Sequence, residues 1–276
     1  MSDGADAARG DVWPAACGDE AVTFSLVVDG VKHSATYTRD TVEQVFVPLI
    51  ERWERMAAER AAANRRVVVF LAAPPGSGKS TMAHALESVS ASREGEPSLQ
   101  ALPLDGFHFH QEFLETHDCV VDGRKVLMRD VKGTLETFDY ERFLAKLCEL
   151  RAGGRVLWPT YDRGIHDVRE DALAVDAPIA LIEGNWLLSC EPPWNEASKL
   201  ADDTVFLAAD ERLLHERLVR RKASGGLSME DAERWYQRSD GRNVRRVLER
   251  RQNAAVELAL SCDGRRIFPT KSITTG

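Results

Sequence analysis

Apolar residues along this chain gather into short unbroken runs. V-V-V-F-L-A-A from Val67, L-Q-A-L-P-L-D from Leu99, P-I-A-L-I-E from Pro178 and T-V-F-L-A-A from Thr204 are each bounded by turn or charged residues. Runs this short and this rich in β-branched and aliphatic side chains predict strands buried on both faces, as in a parallel sheet. Between them the apolar spacing switches to the helical period. Helices are expected from about Lys79 to Val89, before the polar stretch Ser90 to Ser98, and from Asp139 to Leu150, with Phe143, Leu144 and Leu147 inward and Gly153-Gly154 as terminator. Two more follow, one rooted at Asp210 and one from Met229 to Arg238. A last helix is expected from about Val244 through Ala254 to Leu260, with Ile267-Phe268 as a final edge strand. Residues 111 to 138 read as irregular apart from V-D-G-R-K-V, a small hairpin.

Upstream of Val67 the period is two. T-F-S-L-V-V and V-K-H-S-A-T-Y flank Asp29-Gly30, a dipeptide suited to a tight hairpin turn, and predict a β-ribbon. Asp40 with Glu43 opens a helix on which Val42, Phe46, Leu49, Ile50, Trp53 and Met56 recur at helical spacing, and Pro48 is expected to kink it. Covering a sheet edge, capping a site and joining two copies into a homodimer are all open to this ribbon and helix. The expected organisation is a disordered tail over residues 1–20, the ribbon and helix over 21–63, and an α/β domain over 64–270.

Composition narrows the partners. A formal charge of -8 over 276 residues argues against nucleic acid, which is bound by basic surfaces, and favours small substrates. Five cysteines (Cys17, Cys119, Cys148, Cys190, Cys262) are scattered with no C-x-x-C pair, as expected of reduced thiols in a cytoplasmic protein. The first twenty residues carry no apolar leader core, and no apolar run approaches a membrane span, so no membrane insertion is expected.

The chemistry centres on the end of the first run, A-A-P-P-G-S-G-K-S-T, which approaches the phosphate-binding loop G-x-x-x-x-G-K-S/T with Ala73 at its first position. After Pro75, Gly76 and Gly78 let the backbone N–H groups of a tight turn, from Gly76 through Ser77 and Gly78 onward, converge on phosphate oxygens. Lys79 would pair with the β- and γ-phosphates of ATP, and Ser80 would hold Mg²⁺ through its hydroxyl. A helix beginning beside Ser80 and Thr81 would direct its positive end at the anion. Strand ends in such sheets face the ligand, which places Asp105 beside the phosphates. Glu183, at the end of a buried run, needs a cation, and Mg²⁺ with its waters would supply one. His108 and His110 at i, i+2 suit a turn at a pocket mouth, without the third ligand that zinc requires. W-P-T-Y-D-R-G-I-H-D crowds Tyr161, Asp162, Arg163, His166 and Asp167 into what reads as a substrate loop. Arg217, Arg220 and Arg221 fall at i, i+3, i+4, on one helix face. Ser224-Gly225-Gly226 then breaks the helix before Arg234 and Arg238, as a hinged lid over about 217–243 would require.

In this order the pieces resemble the phosphoribulokinase, uridine kinase and pantothenate kinase superfamily of P-loop kinases over Val67 to about Arg251. They are most similar to bacterial nucleoside/nucleotide kinase-like or fructose-transport-system kinase-like proteins, which share A-P-P-G-S-G-K-S-T, L-D-G-F-H, K-G-x-x-E-T-F-D (here Lys132 to Asp139), Y-D-R, E-G-N-W-L-L and R-L-x-x-R. The resemblance implies an α/β P-loop NTPase three-layer sandwich with a mostly parallel central sheet, plus the N-terminal ribbon and helix. It implies Asp105 as the base that takes the acceptor's hydroxyl proton and a water-mediated metal role for Glu183. Arg217 and Arg221 become catalytic lid arginines, Arg220 a contact to ATP, and His108, Tyr161, Arg163 and His166 contacts to a small-molecule hydroxyl acceptor. Residues 111–130 resemble no characterised member closely, which leaves sugar, nucleoside and pantothenate-like acceptors open. The rival reading is a nucleotide-binding switch or transport-coupled ATPase with no phosphoryl acceptor. No Asn-Lys pair for a guanine-specific N-K-x-D element occurs in the chain.

Overall fold

A computed structural model describes residues 21–28, 31–63, 65–94 and 98–270. The expected tail over 1–20 and the Asp29-Gly30 turn lie outside the described residues. The ribbon consists of β1 (Ala21–Val28) and β2 (Val31–Thr38), antiparallel and in register from Ala21↔Thr38 to Val28↔Val31. Thr38 caps α1 (Arg39–Thr41) by accepting from Thr41 N at 3.2 Å. The cap therefore lies two residues before the expected Asp40, and the helix starts at Arg39, because a β-conformation threonine meets the first free N–H. A π-helical segment, Val42–Phe46, leads into α2 (Val47–Arg60) with Pro48 in its first turn. Val47 N bonds back to Val42 O, i to i−5, so the helix is wound wide just where Pro48, with no N–H, cannot bond back to residue 44.

β3 (Val67–Ala72), every residue buried, feeds α3 (Lys79–Glu94), which runs past the expected end at Val89. β4 (Leu99–Pro103) stops two residues short of Asp105, which sits in a 3-10 turn, Leu104–Phe107. The stretch read as irregular contains α4 (Gln111–Thr116) and the expected hairpin, β5 (Asp118–Val121) with β6 (Arg124–Leu127). α5 (Tyr140–Ala152) is capped by Asp139 and closed by Gly153 at φ +83°. W-P-T-Y-D-R-G-I-H-D is not a free loop: β7 (Val156–Asp162) and β8 (Asp167–Val175) pair around a turn at 163–166. The remaining elements are β9 (Ile179–Gly184), β10 (Asp203–Ala208), α6 (Glu211–Ser224), α7 (Met229–Trp235), a π-helical segment Tyr236–Asp240, α8 (Gly241–Glu249), β11 (Val256–Leu260) and β12 (Ile267–Pro269).

β11 corrects the expected last helix. V-E-L-A-L buries Val256, Leu258 and Leu260 in alternation and pairs parallel to β10. Its period is two, and the open edge of β10 satisfies its backbone groups as a lone helix end would not.

The central sheet has the order β12-β11-β10-β3-β9-β4, with only β12 antiparallel. It is the three-layer α/β sandwich, with β3 near the middle. The ribbon is no loose appendage. Phe24, Tyr37, Phe46 and Trp53 join Val67, Met82 and Leu181 in one buried cluster on one face of the sheet, while Phe107, Phe143, Trp158 and Trp194 fill the other. Beneath the sheet, Asp203 accepts from Arg52 Nε and from Trp53 Nε1, each at 2.8 Å, and Asp202 joins Arg60, Arg151 and the Val68 N–H. Among the described residues no helix is long and apolar enough to cross a membrane.

Candidate active site

Three adjacent strands deliver their carboxyl ends to one place. β9 lies between β3 and β4, with Glu183 opposite Leu71 on one side and Pro103 on the other. The loop after β3 therefore stands next to Glu183, and the turn carrying Asp105 stands on its far side. The loop itself needs glycine twice, since Gly76 has φ +82° and Gly78 φ +89°. A Cβ on Gly76 would also meet Leu218 Cγ at 3.0 Å. Ser77 N donates to Pro74 O at 3.3 Å and Met82 N to Gly78 O at 2.9 Å, carrying the loop into α3, whose first turn holds Lys79, Ser80 and Thr81. Ser77 Oγ is buried with no partner among the described residues, an orphaned hydroxyl in a loop of this kind.

The cation that Glu183 requires is already present in the chain: Lys79 Nζ lies 3.8 Å from Glu183 Oε2, both side chains largely buried. At that separation the pair is an ion pair without a tight hydrogen bond. Lys79 can turn to phosphate oxygens, and Glu183 with the Ser80 hydroxyl presents the oxygen donors that Mg²⁺ prefers. Among the described residues no group of three or more His, Cys, Asp or Glu stands together as a metal cage, so such an ion would take its other ligands from water and phosphate.

Asp105 is half-buried on its single turn, which is clamped from two sides. A Cβ at Gly106 would lie 2.1 Å from Pro159 O, so the turn touches the β7 backbone. Arg142, which sequence reasoning missed, donates to Gly106 O, pairs with Glu170 at 3.0 Å and lies over the Phe107 ring. Its only sequence signal was its place in the first turn of α5, three residues after the cap. His108 is buried beside this turn: its ring stacks on Phe138 at 3.8 Å, and Nδ1 donates to Thr137 O at 3.2 Å. Burial pushes the His108 imidazole down in pKa against the pull of nearby Asp105, which keeps it neutral at pH 7. It supports Tyr161 from behind, ring to ring at 5.9 Å.

Tyr161 and Arg163 line a cavity of about 560 Å³ that also reaches Glu183 and, on the ribbon, Val27. Lys132, the first residue of K-G-T-L-E-T-F-D, holds its Nζ 4.8 Å over the Tyr161 ring and donates to Gln111 Oε1 and His166 O. His166 itself is exposed at the hairpin turn with φ +56°. Of the four expected acceptor contacts, then, Tyr161 and Arg163 are on the cavity wall, His108 packs behind Tyr161, and His166 lies on the hairpin turn, not among the lining residues.

The three arginines on α6 part company. Arg217 Nη1 donates to the carbonyls of Gly76 at 3.3 Å and Ser77 at 3.2 Å, and its guanidinium fills the space over Gly264, where a Cβ would meet Nη2 at 1.8 Å. Bound to loop carbonyls, it braces the loop from the side opposite the converging N–H groups. Arg220 and Arg221 are exposed. Lys222 lies 4.4 Å over the Trp235 ring; burial lowers its pKa, with Asp240 opposing. Gly225 ends α6 and Gly226 follows at φ +104°. Arg246 on α8 grips Glu191 and Glu136 together, Nε to Glu191 at 2.8 Å and Nη2 to Glu136 at 2.7 Å. That ties α8 to K-G-T-L-E and to Glu191, three residues beyond E-G-N-W-L-L, a link with no local sequence signal.

The profile of the Phosphoribulokinase / Uridine kinase family matches residues 68–256. The chain is 39% identical over 245 residues to the uncharacterized protein YggC of Escherichia coli, spanning 89% of this chain and 98% of that protein. It is 30% identical over 197 residues to a candidate uridine kinase of Schizosaccharomyces pombe, 69% of this chain and 82% of that one. Among solved structures it is similar to a candidate fructose transport system kinase from Silicibacter sp. TM1040, with TM-score 0.65, 31% identity, and coverage of 76% of this chain and 97% of that chain.

Proposed function

The chain belongs to the phosphoribulokinase / uridine kinase family, and on that premise we propose that it is an ATP-dependent kinase transferring the γ-phosphoryl group to a hydroxyl of a small molecule. The observation that carries this reading is the juxtaposition on neighbouring strand ends of a phosphate loop with its Lys79–Glu183 pair and a separate, rigidly clamped carboxylate, Asp105. A nucleotide switch needs the first of these and has no use for the second.

In the proposed reaction the N–H groups of Gly76 to Ser80 and Lys79 bind and orient the ATP phosphates, and Thr81 extends the same helical turn. Ser80, and Glu183 through water, would hold Mg²⁺, which would offset phosphate charge. Asp105 accepts the hydroxyl proton of the acceptor and aims its oxygen in line. Arg221 and Arg220 are free to swing over the nucleotide as the Gly225-Gly226 hinge closes, and Arg217 keeps the loop in shape. Tyr161 and Arg163 read the acceptor, with His108 fixing the Tyr161 ring and His166 on the adjoining hairpin turn. The guanidinium of Arg163 favours an acceptor with a carboxylate or phosphate, and likeness to the Silicibacter protein keeps a sugar among the candidates.

A coupled ADP-release assay with Mg²⁺ and ATP over sugars, nucleosides, pantothenate and small hydroxy acids tests the reading. Phosphorylated product from one acceptor is the expected result. Steady hydrolysis that ignores every acceptor would support the coupled-ATPase alternative instead.

A further inference from the structure

Two hollows meet beside the ribbon. The first is the cavity of about 560 Å³ that holds Tyr161, Arg163 and Glu183, and the second, of about 420 Å³, continues from it along α3. They share Val27, His84, Ala101 and Leu173. One shared residue would be a partition. Four of them, drawn from β1, α3, β4 and β8, ring an opening between the two.

The hollows differ in character. Asp162, Arg163, Arg169 and Glu183 give the first a charged wall. In the second the ionisable side chains are His84 and Glu87, and His84 Nδ1 donates to Glu87 Oε2 at 3.0 Å. Gln100 is spent on the end of β8, Nε2 donating to Ala174 O at 2.8 Å and Oε1 accepting from Asp176 N at 3.2 Å. Beyond the hydroxyls of Ser25 and Ser88, the rest of that wall is apolar.

Val27 belongs to this apolar wall. Alternation along β1 turns Val22, Phe24 and Leu26 into the core and Thr23, Ser25 and Val27 outward. The first two outward positions are polar, and the third, at the opening, is a valine 55% exposed. An isolated exposed valine needs no explanation. This one stands at the neck between two hollows together with half-buried Leu173.

We propose that the acceptor of the kinase reaction is an elongated molecule, whose hydroxyl end lies in the first hollow and whose uncharged, apolar tail passes Val27 and Leu173 into the second. The proposal rests on the kinase reading for its hydroxyl end alone. From His84 to Ala91, at the far end of the second hollow, α3 advances about 10 Å, which sets the reach of the tail. An alcohol with an acyl, alkyl or aryl extension fills both hollows, whereas a free monosaccharide leaves the second to water. Burial of the tail supplies affinity that the polar end, exchanging water for protein, gives only weakly.

The test is isothermal titration of the full chain, saturated with Mg·ADP, by two probe series that put the same tails on different heads: β-hydroxybutyrate to β-hydroxydecanoate, and methyl to heptyl glucoside. In at least one series affinity should rise about fourfold per methylene, ~0.8 kcal/mol, and level off once the tail is about 10 Å long. Ala91→Trp, which fills the second hollow, should stop the rise early and leave affinity for the shortest probe and for ADP unchanged. Val27→Asp, at an exposed position, should weaken binding of the longest probe about tenfold. No rise in either series, or a rise that persists in Ala91→Trp, would overturn the proposal. ADP release from ATP with the same probes separates this outcome from failure of the kinase reading: tail-dependent affinity without phosphorylation of any hydroxyl would count against the kinase and leave the second hollow as the tail site.

Discussion

The two ends of the central sheet use the same residue types in opposite ways. At the base, Asp203 and Asp202 are buried and saturated: Arg52, Trp53, Arg60, Arg151 and a backbone N–H converge on two carboxylates. At the carboxyl end, Glu183 and Lys79 stand 3.8 Å apart, the buried Ser77 hydroxyl has no partner among the described residues, and two glycines are held at positive φ. Closed networks hold strands in register; open ones wait for a ligand to complete them. The base is therefore expected to govern stability and the carboxyl end activity, and substitutions at each should separate the two readouts.

The largest separation is expected from Asp105→Asn. Transfer should fall by about 10²–10⁴-fold, the range for loss of a positioned general base, while nucleotide affinity and melting temperature stay near wild type. Full turnover by that variant would remove Asp105 from its role. Asp203→Ala is the converse test. Leaving Arg52 and Trp53 without their acceptor should cost about 3 kcal/mol in urea unfolding, with kcat at low temperature unchanged; a variant as stable as wild type would show that the base network is dispensable.

A smaller effect should follow from Gly264→Ala, because its Cβ displaces Arg217 from the Gly76 and Ser77 carbonyls. Nucleotide affinity should drop by about tenfold, some 1.4 kcal/mol, measured by ITC. Unchanged affinity would mean that the loop holds its shape without Arg217. The smallest concerns acid. Hydrogen bonds from Arg246 hold the Glu191 carboxyl below the usual glutamate pKa in the folded state. A depressed folded pKa gives stability that is complete above the unfolded value and is lost as pH falls through the depressed one. Wild type should lose roughly 1 kcal/mol more than Glu191→Gln on acidification from about pH 6 to about pH 3; equal losses would show that the Arg246 bridge does not hold α8 in place.

What was legible in the sequence was local. The phosphate loop, the strand runs at Val67, Pro178 and Thr204, the V-D-G-R-K-V hairpin and the Asp139 and Asp210 caps all follow from spacing and turn chemistry within a few residues. Errors came where local pattern was short and the deciding partner distant. V-E-L-A-L supports either period over five residues, and only the free edge of β10 makes it a strand. Tyr161 to Asp167 looked like a loop because its polar residues hide a ladder that needs β8 opposite it.

The amino-acid sequence by itself determined the class of machine: an α/β sandwich with a phosphate loop, and acidic residues at the ends of the strands beside it. Only the tertiary structure decided which partners those residues meet. Parallel strands need long crossovers, so neighbours such as Lys79 and Glu183, or Arg246 and Glu136, are set by strand order and not by sequence distance. It likewise turned one of three equivalent-looking arginines, Arg217, towards loop carbonyls and buried Arg66 with an N–H unmet. Helical spacing places side chains on a face, but what that face touches is a property of the packed chain.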